Sequence, residues 1–161
     1  MDIQPEKLIE DFTQVAALAG ISITTYDIRC EILPAPHKRP AKLPAGKKVV
    51  YVFCAGGKCL KVGKAGLKSH ARFSSQHYLP KSCQSNLAKS LLADLSGESA
   101  FRLYFTADTG AGLTHSNIGQ WMEQHAARYH FFVDETQPAP LLSLLEIFLQ
   151  CRLRPVFESG Y

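Results

Sequence analysis

The stretch KVVYVFCAGGKCLKVGKAGLKSHARFSSQH, residues 48–77, is the most informative part of this chain. Two β-like runs, VVYVFC and KCLKVG, flank a turn that contains Gly56 and Gly57. Two such runs joined by a Gly-Gly turn are typical of a β-hairpin. After Gly66 the chain is predicted to enter a helix that carries Arg72. A tyrosine, several lysines, an arginine and a histidine therefore fall on a predicted hairpin and the segment after it.

The charge of the chain is distributed unevenly around this stretch. Residues 32–93 contain no aspartate or glutamate but hold twelve of the eighteen lysine and arginine residues. Their formal charge is +12, and the rest of the chain, with six basic and fourteen acidic residues, carries −8. Such a separation predicts a basic face that is suited to a polyanion.

Length and composition exclude several classes of protein. A chain of 161 residues with 46% hydrophobic residues is expected to form one globular domain with a real core. The five cysteines include one close pair, Cys54 and Cys59, without CxxC spacing, so we expect free thiols and no zinc site. No apolar run approaches the roughly 20 residues that span a bilayer, and Asp2, Glu6 and Glu10 argue against a targeting peptide. We therefore expect a soluble, cytoplasmic protein without a membrane partner.

The order of predicted elements indicates an α+β fold. Apolar residues at helical spacing predict a helix over residues 5–18, and a strand is expected within 21–33. Four prolines interrupt regular structure in residues 34–48, so we predict an extension with a basic linker, 1–46, and a main domain, 47–161. Beyond the hairpin, further helices are expected at 86–95, 118–127 and 141–153, and further strands at 101–106 and 129–133. These elements predict a small sheet with antiparallel strands, flanked by helices.

Several side chains are candidates for chemistry, and each also has a simpler structural interpretation. Tyr51 is compatible with an ordinary half-buried aromatic residue on a strand. Lys61 and Lys64 are compatible with solvated surface charges, whereas Arg72 can hold a phosphate through two parallel hydrogen bonds. Glu146 is the one acid in an otherwise largely apolar helix and lies at the edge of the apolar stripe. It is either a hydrogen-bonded structural carboxylate or a ligand of a hard cation such as Mg²⁺.

The ordered series VVY (49–51), KVGK (61–64), Arg72, Glu146 and RPVFE (154–158) resembles the GIY-YIG endonuclease family. In that family two tripeptide motifs lie on adjacent strands of a small sheet, an arginine follows on a helix, and a glutamate on a later helix binds one divalent metal. The resemblance spans residues 48–158, with a longer middle section than the minimal module of the family. It implies a hydrolase that cleaves DNA phosphodiester bonds with Mg²⁺ or Mn²⁺.

The resemblance assigns a role to each matching residue. Tyr51 corresponds to the tyrosine of the first motif, Gly63 to the glycine of the second, and Arg72 to the family arginine. Lys64 stands where the excision-repair nuclease of the family has a lysine, and Glu146 stands at the metal-binding glutamate. Arg72 and Lys64 would clamp the phosphate oxygens, and Tyr51 would position the attacking water or take its proton. A free phenol has a pKa of about 10 and is therefore a poor base at neutral pH. For Tyr51 to take a proton, nearby cations are expected to favour the phenolate.

Three positions depart from the pattern of the family. Lys61 stands where the second motif has its tyrosine, and we expect its charge to replace the missing hydroxyl. Glu158 stands where the family commonly ends with asparagine, and it would add a second metal ligand if it points into the site. His77 lies five residues after Arg72, so Gln76 takes the position at which many relatives have a histidine or tyrosine.

The expected functional residues form two overlapping sets. The predicted catalytic residues are Tyr51, Lys61, Lys64, Arg72 and Glu146, with Glu146 as the metal ligand. The residues expected to bind DNA are Lys64, Lys68, Arg72, His77, Lys81 and Lys89. Ser85 and Asn86 either follow the phosphate backbone or cap the helix at 86–95.

Two other functions stay open from the sequence. One is a nucleic-acid-binding module of the same fold that does not cleave, which the departures at Lys61 and Glu158 favour. The other is a protein-interaction domain whose basic strip contacts an acidic partner. A homodimer is also left open, since cutting both strands of DNA often needs two active sites.

Overall fold

The computed structural model describes residues 3–84, 86–95 and 113–158 and arranges them as one sheet flanked by helices. The elements are α1 (Pro5–Leu18), β1 (Ile28–Leu33), β2 (Lys47–Ala55), β3 (Lys58–Ala65), α2 (His70–Ser74), α3 (Leu87–Leu95), α4 (Ile118–His125), β4 (Ala127–Asp134) and α5 (Ala139–Leu153). Short 3-10 turns occupy Thr25–Asp27 and Gln76–Tyr78. The four strands are antiparallel and lie in the order β1-β4-β2-β3. The predicted α+β class is therefore confirmed.

The β2–β3 hairpin follows from the turn that the sequence predicts. Gly56 and Gly57 have φ values of 55° and 71°, the left-handed conformation that a two-residue hairpin turn requires and that glycine adopts at low cost. The register places Tyr51 directly opposite Gly63. Because directly opposed residues point to the same face and successive residues to opposite faces, Lys64 lies on the other face.

Each face of the sheet has its own apolar cluster. Helices α1 and α5 pack on one face, where Phe12 and Leu145 lie in one cluster with Val50 and Val52 of β2. Helices α2, α3 and α4 cover the other face, whose buried cluster is rich in aromatic side chains: Tyr51, Phe53, Phe73, Tyr78 and Phe132. Since side chains alternate along a strand, the central strand β2 contributes to both clusters. We call the second set the aromatic cluster.

The N-terminal residues belong to the same sheet as the rest of the chain. Helix α1 confirms the predicted helix and packs against α5. Strand β1 is shorter than expected, because Thr25–Asp27 form a 3-10 turn in which Asp27 accepts a hydrogen bond from the backbone N–H of Thr24 (2.7 Å). β1 then pairs with β4, with Ile28 opposite Val133. The predicted boundary at 46/47 thus falls between two strands of one sheet.

Residues 34–46, predicted as a linker, are packed against α4 and the aromatic cluster. The backbone N–H of His37 donates to the carbonyl of Glu123 (2.8 Å), and Arg39 forms an ion pair with the carboxylate of Glu123. The guanidinium carbon of Arg39 lies 4.8 Å from the centroid of the Tyr78 ring. Leu43 is almost fully buried. The prolines interrupt regular structure here without detaching the segment from the domain.

The ends of two helices agree with the sequence, and two predictions lie outside the described residues. Asn86 caps α3, because its Oδ1 accepts a hydrogen bond from the backbone N–H of Lys89 (2.8 Å). Asn86 is also buried, so it does not follow a phosphate backbone. Helix α5 ends before Arg154, which has a φ of 46°, and before Pro155. The strand predicted at 101–106, and Ser85, lie outside the described residues. Among the described helices, none is both long and apolar enough to cross a membrane.

Candidate active site

Two side chains from the segment after β3 hold the hydroxyl of Tyr51. Tyr51 lies on the central strand β2, and its side chain is fully buried. Arg72, on the short helix α2, donates through Nε to Tyr51 Oη over 3.0 Å. His77, in the 3-10 turn that follows, places Nε2 at 2.6 Å from the same oxygen. The Tyr51 hydroxyl is therefore the point at which the hairpin and the segment after it meet.

Gly63 makes room for the phenol of Tyr51. A Cβ atom at position 63 would lie 2.6 Å from Tyr51 Oη and 2.8 Å from Tyr51 Cζ. Both distances are shorter than a non-bonded contact allows, so any side chain at Gly63 would displace the Tyr51 ring. The glycine of the KVG tripeptide is therefore required by the position of the tyrosine on the neighbouring strand.

The start of α3 determines the tautomer of His77. The backbone N–H of Leu87 donates to His77 Nδ1 over 3.3 Å. A ring nitrogen that accepts a hydrogen bond carries no proton, so the neutral imidazole has its proton on Nε2. His77 then donates to Tyr51 Oη, as Arg72 does. Both lone pairs of the neutral phenol are occupied, and the O–H of Tyr51 is free to donate elsewhere.

Burial, more than charge, sets the protonation of these two groups. Burial raises the pKa of Tyr51 to about 12, although the positive charges of Arg72 and Arg128 oppose the shift. The cations were expected to favour the phenolate, and their effect has that sign but is smaller than the effect of burial. Burial, followed by the charges of Lys61, Arg128 and Arg72, lowers the pKa of His77 to about 3. At neutral pH the pair is therefore a phenol and an uncharged imidazole.

A cleft between the end of β3 and α5 brings together three of the predicted catalytic side chains, Lys64, Arg72 and Glu146. The cleft has a volume of about 450 Å³ and its walls include Lys64, Arg72, Ser143 and Glu146. Lys64 Nζ lies 2.8 Å from Glu146 Oε2 and donates to Ser143 Oγ over 2.9 Å. Another cleft, of about 600 Å³, lies beside α1. This larger cleft lies apart from Tyr51 and Arg72, so the cleft that contains Glu146 is the candidate site.

Glu146 is chemically suited to one divalent cation. It is the one carboxylate among the residues that line this cleft, and the side chain is 16% exposed. Within the described residues there is no group of three or more His, Cys, Asp or Glu side chains that could enclose a metal. Mg²⁺, however, often takes only one or two carboxylates and completes its shell with water and phosphate oxygens. The donor chemistry of Glu146, beside a hydroxyl and in an open cleft, fits that mode of binding.

Lys61 does not reach this cleft, which corrects the expectation that it supplies charge to the reacting groups directly. Its side chain is 5% exposed, and Nζ lies 2.8 Å from Glu158 Oε1. Glu158 is brought there by the tail after α5, in which the backbone N–H groups of Val156 and Phe157 donate to carbonyls of β3. Neither Lys61 nor Glu158 lines the cleft, so Glu158 does not supply a second ligand beside Glu146. After burial, the charge of Lys61 is the next contribution that lowers the pKa of His77.

The residues expected to bind DNA divide into exposed and buried groups. Lys68, Lys81 and Lys89 are exposed, and Lys68 lies in the loop between β3 and α2, next to the cleft. His77 is only 2% exposed and its ring is 5.0 Å from that of Tyr51. It is therefore placed to act on Tyr51 and not to contact a phosphate backbone, which corrects its expected role.

Sequence reasoning missed Arg128 and His130 on β4. Both are buried and face the aromatic cluster, although they alternate along ARYHFFVD (127–134) in the way that usually marks an exposed face. The alternation was the available signal, but the helices that cover this face come from distant parts of the chain. Lys48 and Ser143, which also line the cleft, were likewise not among the candidates.

Arg72 connects the two halves of the candidate site. Its Nε contacts Tyr51 Oη, and its side chain lines the cleft shared by Lys64 and Glu146. Comparisons of the chain with protein-family models, with curated proteins and with solved structures found no match. The chemistry of the site is therefore inferred from the arrangement of these side chains.

Proposed function

We propose that this protein is a metal-dependent DNA endonuclease of the GIY-YIG type, which hydrolyses phosphodiester bonds. The observation that carries the proposal is the position of Arg72, between the hydroxyl of Tyr51 and the cleft that contains Glu146. The cleft is lined by a guanidinium, an ammonium and a carboxylate, and the guanidinium also contacts the buried hydroxyl of Tyr51; these are groups that hydrolysis of a phosphodiester uses. Their order along the chain is the order of the motifs that resemble the family.

Arg72 and Lys64 are the groups that would hold the phosphate. In the described part of the chain, Arg72 uses Nε for Tyr51 and makes no hydrogen bond through its terminal nitrogens, which leaves them for phosphate oxygens. Lys64 is paired with Glu146, and the Lys64 side chain is 39% exposed. A partly exposed ion pair is weak, so Lys64 can exchange the carboxylate for a phosphate oxygen at small cost.

Glu146 would hold the metal, and Tyr51 would act on the attacking water. Mg²⁺ or Mn²⁺ held by Glu146 would supply charge neutralisation for the scissile phosphate and its leaving oxygen. Tyr51 is fully buried and does not line the cleft, so the neutral phenol would have to reach an attacking water beside Arg72 by donating its O–H. To take a proton, Tyr51 must first ionise. The negative charge of Glu146 is one of the contributions that raise the pKa of Tyr51. Neutralising Glu146 therefore lowers the pKa of Tyr51 and favours the form that can act as a base.

Cleavage of supercoiled plasmid and of branched DNA in Mg²⁺ or Mn²⁺ tests the proposal. We expect cleavage by the unmodified protein and a loss of about 10²-fold or more in Glu146→Gln. Glu135→Gln, which removes the charge of an exposed acid after β4, is the matched control and should cleave normally. Cleavage that survives Glu146→Gln, or that occurs equally in EDTA, contradicts the proposed mechanism.

A second function, DNA binding without cleavage, is favoured by one observation. The pair Lys61–Glu158 replaces the tyrosine and the asparagine of the motifs and is engaged away from the cleft. Binding can be measured by fluorescence anisotropy at increasing salt. If several lysines contact phosphates, the affinity should fall steeply between low and moderate salt, with a logarithmic slope near −0.9 per contact. Strong salt dependence without metal-dependent cleavage supports this second function, and salt-independent binding argues against both.

A further inference from the structure

The two edges of the sheet differ in how the chain covers them. The strand order places β3 at one edge and β1 at the other. The tail after α5 covers the β3 edge, where the backbone N–H groups of Val156 and Phe157 donate to carbonyls of that strand over 3.0 Å each. Strand β1 pairs with β4 on one side, and no other backbone segment of the described chain forms a hydrogen bond with it. Its free side therefore presents backbone N–H and C=O groups that can pair with another strand.

The side chains of β1 also leave this edge open. The Arg29 side chain is 78% exposed and that of Glu31 is 44% exposed. Ile32, near the end of the strand, is 47% exposed, and Tyr26, in the turn before the strand, is 96% exposed. Aromatic side chains are enriched at protein–protein interfaces, and a strand edge between two exposed apolar side chains would be stabilised by a partner that covers them.

The charges of β1 favour a second copy of the same strand. A row of like charges along an edge repels an identical edge, which is one way in which proteins prevent such pairing. Arg29 and Glu31, however, have opposite signs and lie two residues apart, so they share one face of the strand, 3.8 Å from each other. In an antiparallel pair of two β1 strands centred on Cys30, Arg29 of each copy would lie opposite Glu31 of the other. Opposed unlike charges stabilise antiparallel strands.

The sequence IRCEIL (28–33) favours this register over its neighbours. In the register centred on Cys30, Ile28 of each copy would lie opposite Ile32 of the other, which adds two apolar pairs. Moving the centre by one residue would place Arg29 opposite Arg29 or Glu31 opposite Glu31. Moving it by half a residue would place Arg29 opposite Ile32 or Cys30. Only the register centred on Cys30 therefore opposes unlike charges without opposing like ones.

We propose that the β1 edge is a homodimer interface, in which two copies of this chain pair their β1 strands antiparallel about Cys30. The two four-stranded sheets would then form one continuous sheet. The two β3 strands, each beside its own cleft, would be the outermost strands, separated by seven strand spacings of about 4.8 Å, or about 34 Å. The interface involves neither the cleft nor a metal, so it does not rest on the proposed function.

The test is sedimentation equilibrium of the full chain with its thiols kept reduced, from about 10 µM to about 1 mM, the range in which small interfaces associate. We expect a monomer–dimer equilibrium that weakens as salt is raised. Arg29→Glu and Glu31→Arg should each raise the Kd of the dimer by about tenfold or more, because both symmetric contacts become like-charged. The double variant Arg29→Glu/Glu31→Arg opposes unlike charges again and should restore the Kd to within about threefold. Glu135→Arg is the matched control, since it reverses an exposed acid after β4 and should leave the Kd unchanged.

Loss of the dimer in both single variants and its recovery in the double variant would establish the interface and its register. A monomer over the whole concentration range overturns the proposal. So does a dimer that the single reversals leave intact, or one that the double reversal does not restore. Unfolding of both single variants, followed by circular dichroism, also overturns it, because Arg29 and Glu31 would then be needed within the monomer. No DNA is present in this experiment, so the absence of cleavage would leave its result unchanged.

Discussion

Replacing Gly63 by alanine should disturb Tyr51 more than any other single methyl group added near the site. The new Cβ would lie 2.6 Å from Tyr51 Oη, where ordinary contact begins at about 3.4 Å. The ring must therefore move by about 0.8 Å or the strands must separate. The hydrogen bonds from Arg72 (3.0 Å) and His77 (2.6 Å) cannot both survive such a shift.

The expected cost of Gly63→Ala is about 1–3 kcal/mol in the free energy of unfolding, the range for overpacking in a closely packed core. For a chain of this size that corresponds to a fall of roughly 3–10 °C in Tm. Urea denaturation gives the free energy, and histidine NMR reports whether His77 has lost its contact with Tyr51. If the protein cleaves DNA, its activity should fall by about 10-fold or more, since the hydroxyl is no longer in place.

Gly66→Ala is the matched control for Gly63→Ala. Apart from its chain neighbours, a methyl group on Gly66 would meet no heavy atom within 4 Å. Gly66 lines the cleft that contains Glu146. It should leave the stability almost unchanged. In a Tyr51→Phe background the cost of Gly63→Ala should fall only in part, because Tyr51 Cζ would still lie 2.8 Å from the new Cβ. Equal urea midpoints for Gly63→Ala and Gly66→Ala would refute the reasoning.

Three further predictions concern protonation, capping and the buried ion pair. The pKa values of His77 and His130 are lowered to about 3, whereas unfolded histidines titrate near 6.5. The stabilising contribution of the two neutral histidines should be complete above pH 6.5 and be lost as the pH falls toward 3. Over that range the free energy of unfolding should fall by up to about 2.7 kcal/mol per pH unit for two protons. His77→Gln should halve this slope in urea titrations. Asn86→Ala should cost about 1–2 kcal/mol of stability by the same method. Asn86→Asp keeps the cap acceptor but replaces the Nδ2 donor to the carbonyls of Pro80 and Cys83 by a second oxygen, so it should not recover the loss. Glu158→Gln should destabilise the protein by about 1–3 kcal/mol because it leaves Lys61 buried and unpaired. Adding Lys61→Met to the same chain should recover part of that loss. Strictly additive effects of the two substitutions would contradict this pairing.

The hairpin and the last helix could be predicted because their signals are local. Gly56 and Gly57 specify a tight turn, whose length sets the pairing of Cys54 with Cys59 next to it. Helix α5 could be predicted from an apolar run between Pro140 and Pro155, and Glu146 from being its one acid. The opposition of Tyr51 and Gly63 does not follow from the turn alone, because an irregularity between Phe53 and Cys54 shifts the register by one residue.

The environment of that centre could not be predicted because distant segments create it. Residues 34–46 have the composition of a linker, and only their contacts with α4 show that they are part of the domain. The residues around His77 in the sequence have the composition of a basic surface, yet α3 and the aromatic cluster bury the His77 side chain. Arg128 alternates with hydrophobic neighbours like a solvated residue. In each case tertiary packing overrides the local pattern.

Lys61 and Lys64 show how strand geometry separates two residues that look equivalent in the sequence. They are three positions apart on β3, so their side chains leave on opposite faces of the sheet. Each meets a carboxylate from the C-terminal part of the chain, Glu158 for Lys61 and Glu146 for Lys64. The Lys61 side chain is 5% exposed, so breaking its pair would leave a buried charge, and this pair is expected to persist. The Lys64 side chain is 39% exposed, although that of Glu146 is only 16% exposed, so the ammonium of Lys64 reaches water and its pair is expected to be weaker than that of Lys61. Under the proposed function, Lys64 would therefore release its carboxylate to a metal and turn to a phosphate, whereas Lys61 is expected to remain bound to Glu158.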